Sequence, residues 1–373
     1  MERVLNVTTV LQAAGIESFI MNMYRNIDRE RVQFDFMVMR NEKEYYDEEI
    51  KKLGGKKYTI SVKSTNTLIR VIKESYQLYK FLKKHKYKII HIHYTTPLRA
   101  FYLLAAKRAG VPVRIYHSHS AEVSGKSSLK LKIYNFCRNR IEKWGTDYWA
   151  CSKAAAKWMF TGKSFKNSIV IPNGIDTKRF SYDAMKRKEI REELKLNDEF
   201  VVVNTGRFLE QKNHRFIIDV FSELTSRIQN CKLLLMGTGP LETEIKNYVC
   251  EKGIKEKVAF LGVRPDVENI LSAADCFLMP SLYEGLPVAA VEAQSSGLPC
   301  VLSDEITKEV KLSDKVCFLA LSETKEKWCN EILKYINSPR ENGARQVKQN
   351  GYDIVDCANA LCMRYEKAIR MSS

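Results

Sequence analysis

The chain has no Cys-x-x-Cys pair and no histidine at zinc-ligand spacing from a cysteine, so its ten cysteines spell neither a zinc ribbon nor a disulfide framework. Cys151, Cys276, Cys300 and Cys317 lie inside apolar runs, where a reduced thiol behaves as a small hydrophobe. No window approaches the ~20 uninterrupted apolar residues of a membrane-spanning helix. The start, MERVLNVTTV, lacks the basic flank, apolar core and cleavage site of a secretory signal. A cytoplasmic protein is expected. Internal repeats and low-complexity tracts are also missing, and 373 residues are more than one ordinary core needs, so two domains are expected.

What the chain has in excess is positive charge, and only in one half. Lys and Arg number 61 against 44 Asp and Glu, a net charge of +17. Residues 1–180 hold 34 basic and 15 acidic groups, whereas residues 181–373 hold 27 and 29. Residues 51–180 alone carry 28 basic against 5 acidic groups. Such a surface suits an anionic membrane or a nucleic acid. No nucleic-acid motif accompanies it, and the basic stretches do not space aromatics for base stacking.

Short apolar, β-branched runs alternate with helical patterns along the whole chain. Strands are expected at Val4–Thr9, Phe34–Met39, Ile89–Tyr94, Val113–Ser118, Tyr148–Ser152 and Ile169–Ile171, and again at Val201–Thr205, Lys232–Gly237, Val258–Gly262, Cys276–Pro280, Cys300–Ser303 and Val316–Ala320. Helices are expected between them, including Thr67–Lys84, Met185–Leu196, His214–Ile228, Leu241–Glu251 and Pro287–Ser295. This alternation predicts parallel sheets with helices on both faces. The turn-rich Pro172-Asn173-Gly174-Ile175-Asp176 interrupts it. The expected division is therefore 1–172, 173–355, and a C-terminal helix at 356–373 packing back on the first domain. Two doubly wound domains would face each other across a cleft, with ligands beyond the carboxyl ends of the strands.

The most informative stretch is Pro280-Ser281-Leu282-Tyr283-Glu284-Gly285-Leu286-Pro287, continuing to Glu292. Pro287 suits the first helical position, and Gly297-Leu298-Pro299 stops the helix. Gly285, Leu286 and their neighbours then offer free N–H groups at a positive helix end, which suits phosphate. Glu284 lies just before that end, and Glu292 lies roughly 7–8 Å further along the helix. Two carboxylates straddling such an end can hold hydroxyls on opposite sides of a diphosphate, one on a sugar and one on a ribose. Alone, Glu292 reads as a solvated helix residue; the pair reads as a site.

With this pattern the chain resembles glycosyltransferase family 4, retaining enzymes of the GT-B architecture, over nearly its whole length. Glu284 and Glu292 match the family's Glu-x7-Glu motif, and the resemblance implies that Glu284 binds the donor sugar and Glu292 the ribose. It is closest to bacterial enzymes of capsular and exopolysaccharide synthesis. Thr205-Gly206-Arg207 with Lys212-Asn213 resembles the family's Gly-Arg…Lys-Asn signature. No Asp-x-Asp occurs, so no metal cofactor is expected, and Arg207 and Lys212 would neutralise the diphosphate instead. Gly237 and Gly239, in Gly237-Thr238-Gly239-Pro240, match a loop near the nucleotide. Val263 opens the segment where family members bind the base.

In the first domain, family members commonly carry two glycines after the opening strand; here Ala14 replaces the first, and Gly15 is left to supply the flexible position next to the donor phosphate. Four of the six histidines, His91, His93, His117 and His119, fall at the ends of two strands. Singly they read as strand-end hydrogen bonders. Within Tyr116-His117-Ser118-His119 the resemblance points to the histidine that reaches the donor sugar, with His117 first and His119 second. His119 and His93 are placed on the acceptor side. The stretch Lys126–Lys143 mixes Leu129, Ile133, Tyr134, Phe136 and Ile141 with six Lys or Arg, and Lys83, Lys84, Lys86 and Lys88 close another helical stretch. That suits a peripheral helix on anionic lipid.

The expectation is thus a retaining hexosyltransferase moving a sugar from a nucleotide-diphosphate donor, a UDP-sugar favoured, to a lipid-linked saccharide at the inner face of the plasma membrane. The alternatives are a nucleotide-sugar 2-epimerase of the same architecture, which needs no second substrate, and a basic nucleic-acid-binding protein.

Overall fold

The protein is described here by a computed structural model covering residues 1–12, 15–119 and 128–372, with side chains from residue 130 onward in the last segment. Ala14, and residues 126–127 of the basic stretch Lys126–Lys143, lie outside the described residues. The chain forms two compact units, Met1–Gly174 together with Ile354–Ser373, and Ile175–Asp353.

The first unit is built on a sheet of seven parallel strands: β1 (Glu2–Val7), β2 (Val32–Val38), β3 (Lys57–Thr59), β4 (Ile89–Tyr94), β5 (Val113–Ser118), β6 (Asp147–Ala150) and β7 (Ile169–Val170), in the order β3-β2-β1-β4-β5-β6-β7. The second holds six: β8 (Phe200–Thr205), β9 (Cys231–Met236), β10 (Val258–Gly262), β11 (Cys276–Met279), β12 (Cys300–Ser303) and β13 (Val316–Leu319), in the order β10-β9-β8-β11-β12-β13. Every strand pair is parallel. Strand order reverses between β1 and β4 in one sheet and between β8 and β11 in the other. At such reversals the connecting helices leave to opposite faces and open a crevice beyond the strand ends. The motif residues cluster there: Gly15 after β1, His91 and His93 on β4, Arg207 and Lys212 after β8, and Glu284 after β11.

Helices cover both faces of each sheet, which is why β4 and β11 are buried along their whole length. The helix Ile354–Ser372 packs on the first unit because Ile354, Cys357, Ala358, Leu361, Cys362, Tyr365 and Ala368 fall on one stripe. Its Tyr365 stands edge-on to Phe34 at 6.0 Å and tilted against Trp149 at 5.4 Å. Burying each such aliphatic or aromatic side chain contributes about 1.5–3 kcal/mol. All ten cysteines are free thiols, and most are buried. Among the described residues no helix is long and apolar enough to cross a membrane.

Three local readings differ. β3, Lys57-Tyr58-Thr59, was not expected; its lysine-rich surroundings hide a short edge strand that, among the described residues, pairs only with β2. The helix expected from Pro287 starts at Val288, with Pro287 as the preceding cap residue at φ −74° and ψ 101°. The extended ψ keeps proline outside the helix, and its missing N–H is still no loss. In the helix Ser128–Trp144, Tyr134 and Ile141 are core residues, while Leu131 and Phe136 are exposed.

Candidate active site

In the second unit, the loops after β8 and β11 are laced together. Gln211 Nε2 donates to Tyr283 O at 2.9 Å, Leu282 N donates to Gln211 O at 2.8 Å, and Asn213 Nδ2 donates to Pro280 O at 3.2 Å. Asn213 sits at φ 54°, a left-handed conformation that asparagine tolerates and that opens the helix His214–Arg227. Across this seam Lys212 Nζ meets Glu284 Oε1 at 2.6 Å. Both are largely shielded, with side-chain exposures of 17% and 9%, so the pair fixes each group more firmly than a surface ion pair does. The lysine stem lies against Gly206, where an added Cβ would stand 3.2 Å from its Cε. Arg207 is exposed and joins no ion pair among the described residues. The Gly-Arg…Lys turn therefore presents one cation locked to a carboxylate and one open to a ligand.

The loop after β9 approaches this turn closely. Gly237 has φ +131°, and a Cβ there would lie 2.1 Å from Gly206 O; at Gly239 it would lie 2.5 Å from Phe208 O. Only glycine fits at Gly237. Gly237 N donates to Gly262 O at 2.8 Å, which ties in the loop after β10. There Val263 is 78% exposed, an apolar side chain standing free next to Arg264, which is paired with Asp266 and Glu193.

Leu286 buries its side chain in the second core, and the N–H groups of Gly285, Leu286 and Val288 find no acceptor among the described residues. Glu292, one helical turn in, is half-buried, and burial pushes its carboxyl up to about 7, with Arg179 opposing and Glu268 adding to the shift. Arg179 itself is held by Glu268 at 2.8 Å and Pro265 O at 2.6 Å. Sequence reasoning placed Asn213 in the Lys212-Asn213 signature and passed over Gln211 and Arg179; the neighbouring Lys-Asn pair was the available signal for Gln211.

In the first unit Gly15 begins the helix Gly15–Asn26, with open space among the described residues where a Cβ would go. The four histidines form a single array. His91 Nε2 lies 3.1 Å from His117 Nδ1, and His93 Nδ1 lies 3.0 Å from His119 Nε2. His91 Nδ1 also meets Tyr365 Oη at 2.6 Å, and His93 Nε2 meets Asn6 Oδ1 at 3.0 Å. Burial, reinforced for three of them by their neighbours, pushes all four imidazoles far down, His119 to about 3, so all are neutral. His91, His93 and His117 are wholly buried, whereas His119 keeps some surface. Of the two histidines singled out for the sugar, the second choice is thus the accessible one here. One nitrogen from each of His91, His93 and His117 lies within 4.8 Å of the others, a metal-like spacing. The nearly coplanar His91 and His117 rings, 7° apart, instead point their nitrogens at each other.

Residues 13–179 match the family Glycosyltransferase Family 4, and residues 186–353 match Glycosyl transferases group 1. The glycosyltransferase EpsF of Bacillus subtilis is 34% identical over 378 residues, covering 98% of this chain and 96% of that protein. An Escherichia coli UDP-Gal:alpha-D-GlcNAc-diphosphoundecaprenol alpha-1,3-galactosyltransferase is 34% identical over 249 residues, 64% of this chain and 63% of that one. The capsular polysaccharide glycosyltransferase CapH of Staphylococcus aureus is 24% identical over 349 residues, 90% and 91% of the two chains. Among solved structures, Anabaena HepE in complex with UDP and glucose superposes with TM-score 0.78 at 16% identity, covering 98% of this chain and all of that one, which establishes the GT-B fold. The chain belongs to glycosyltransferase family 4, and it is a glycosyltransferase.

Proposed function

We propose that this glycosyltransferase moves a hexosyl group from a UDP-sugar, with retention and without a metal, to a saccharide on a diphosphate-linked lipid at an anionic membrane surface. The observation that carries the reading is the Lys212–Glu284 pair beside an open Arg207, at the strand reversal of the second sheet. A departing nucleoside diphosphate gathers negative charge on its β-phosphate, and preorganised cations lower that barrier without rearranging. In this reading the bond from C1 to the β-phosphate oxygen breaks while the acceptor hydroxyl oxygen bonds C1 on the same face. The acceptor's proton passes to the departing phosphate oxygen. Arg207 and Lys212 hold that oxygen's charge, Glu284 accepts hydrogen bonds from the sugar, and Glu292 accepts them from the ribose. The unpaired N–H groups of Gly285 and Leu286 face the same phosphates, and Val263 borders the base.

Uridine is favoured because the Escherichia coli relative is named for UDP-Gal and HepE was solved with UDP. The same relative's name gives a diphosphoundecaprenol substrate, which supports a lipid-linked acceptor. The helix Thr67–His85 exposes Leu68, Ile69, Ile72 and Tyr76, and it ends in Lys83 and Lys84. Apolar side chains standing out from a basic face are what peripheral lipid binding needs. Epimerisation is not favoured, since the relatives are named for transfer to a second substrate.

One experiment tests donor, acceptor and surface together. Anionic liposomes carrying a diphosphoundecaprenyl saccharide are incubated with the protein, labelled UDP-hexoses and chelator, then floated. Protein and label should both rise with the lipid, and more protein should rise at low salt. Protein that stays at the bottom at every salt concentration contradicts the membrane reading, and label that never enters the lipid contradicts the acceptor.

A further inference from the structure

Arg179 lies in the turn that opens the second unit, and the turn fixes its backbone from both sides. Asp176 Oδ1 accepts from Lys178 N at 3.1 Å and from Arg179 N at 3.0 Å, and the next residue, Phe180, is buried in the second core. The guanidinium commits one nitrogen, Nη2, to two partners: Pro265 O at 2.6 Å and Glu268 Oε2 at 2.8 Å. No hydrogen bond among the described residues uses its Nε or Nη1, and the side chain is 48% exposed.

These two partners belong to different parts of the nucleoside site. Pro265 closes the loop after β10, whose other end is tied by Gly237 N donating to Gly262 O at 2.8 Å. Val263, which borders the base in the reading above, thus stands on a loop pinned at both ends. Glu268, on the helix Val267–Ala273, repels charge on Glu292, and Arg179 attracts it. No other charge acts on Glu292 among the described residues. Its own helix, Val288–Ser295, carries no second charge, and Arg345 and Lys348, on the helix Ala344–Gln349 packed against it, do not contribute. One guanidinium therefore serves both the base loop and the carboxylate that would hold the ribose. A half-exposed pair such as Arg179–Glu268 adds little to stability, so folding does not account for this placement.

We propose that Arg179 is a positioning residue for the donor's nucleoside: it fixes the base-facing loop through Pro265 O and sets a positive charge beside Glu292, so that the base and ribose sites are formed together before a uridine diphosphate binds. This rests on the glycosyltransfer reading above and deepens it. Glu268 anchors the guanidinium and also adds a second negative charge near Glu292. Arg179 acts through the loop and the carboxylate and takes no part in bond breaking at C1.

Two readouts separate this role from a structural one. The first needs no ligand: carbon-13 carboxyl spectra of the full chain follow the ionisation of Glu292, with Glu292→Gln assigning its signal. Arg179→Met keeps the stem and removes the charge, so Glu292 should titrate about one pH unit higher. Glu268→Gln removes the repelling charge, so Glu292 should titrate lower. Arg179→Lys keeps the charge and should leave the titration near wild type. The second readout is calorimetric titration of UDP and GDP, with chelator, at about pH 8. Arg179→Met should bind UDP about tenfold more weakly, and its preference for UDP over GDP should narrow because the loop is no longer pinned. Arg179→Lys should recover part of the affinity. Tm should barely move in any of the three variants. A Glu292 titration unmoved by Arg179→Met, or a UDP affinity unchanged by it, overturns the proposal and leaves the glycosyltransfer reading intact. A wild-type chain that binds no UDP contradicts that reading, and this one with it, even where Glu292 titrates as expected.

Discussion

Replacing Lys212 with alanine should lower kcat by about 10²–10³-fold, the usual effect of removing one preorganised group from a developing oxyanion. The same change leaves Glu284 nearly buried and without its cation. For a fully buried pair such a loss costs about 3–5 kcal/mol, and the residual exposure here reduces it. Calorimetric unfolding should therefore show a lowered Tm for Lys212→Ala. The double variant Lys212→Ala/Glu284→Ala should regain most of that Tm and none of the kcat. Recovery of both together would make the pair a structural staple between two loops and remove Lys212 from the chemistry.

The second large effect concerns Glu292 and pH. Its carboxyl titrates at about 7 in the folded chain against an ordinary 4.5. Between those values the folded state keeps a proton that the unfolded chain releases, so stability falls as pH rises through that window and levels off above it. The loss is at most about 3 kcal/mol, less what solvent screens. Glu292→Gln should thus match wild type at about pH 4.5 and melt higher than wild type at about pH 8. Function should move the other way. If Glu292 accepts both ribose hydroxyls it must be ionised, so UDP-glucose, which has no group titrating near neutrality, should bind about tenfold tighter at about pH 8 than at about pH 6. Binding should release a proton, seen as a calorimetric heat that depends on the buffer. In Glu292→Gln both the pH dependence and the proton release should vanish. Wild-type affinity that is flat across this range would separate Glu292 from the ribose. A residue that weakens the fold when ionised, in a position where ionisation helps binding, is a local exchange of stability for function.

Much of this site was legible because its parts are short, contiguous and set by strand ends. Arg207, Lys212, Glu284 and Glu292 each follow an apolar strand in a fixed order, and the parallel sheet returns every such end to one edge. Strand reversal between β8 and β11 then makes neighbours of residues 72 positions apart, Lys212 and Glu284. The C-terminal helix carries a strong buried stripe. What sequence does not show is partnership across the sheet. His91 and Tyr365 are 274 positions apart, and nothing local marks the tyrosine as the anchor of a histidine row. Nor does spacing say that His117 is wholly buried and that His119 keeps some surface. Helical phase failed for Tyr134 and Ile141 for a related reason: a stripe mixing lysines with apolar residues fits lipid and core equally well until the neighbouring helix is placed. β3 was missed because lysines dominate the approach to it, while its backbone pairing with β2 is what makes it a strand.

The most direct test of the account is calorimetric titration of UDP, GDP and ADP into the wild-type chain with chelator present, repeated with Arg207→Ala and Glu292→Ala. The account predicts that UDP binds without metal, that GDP and ADP bind more weakly, and that each substitution weakens UDP by an order of magnitude or more. Absence of binding by all three nucleotides, or UDP affinity unaltered in both variants, would contradict it.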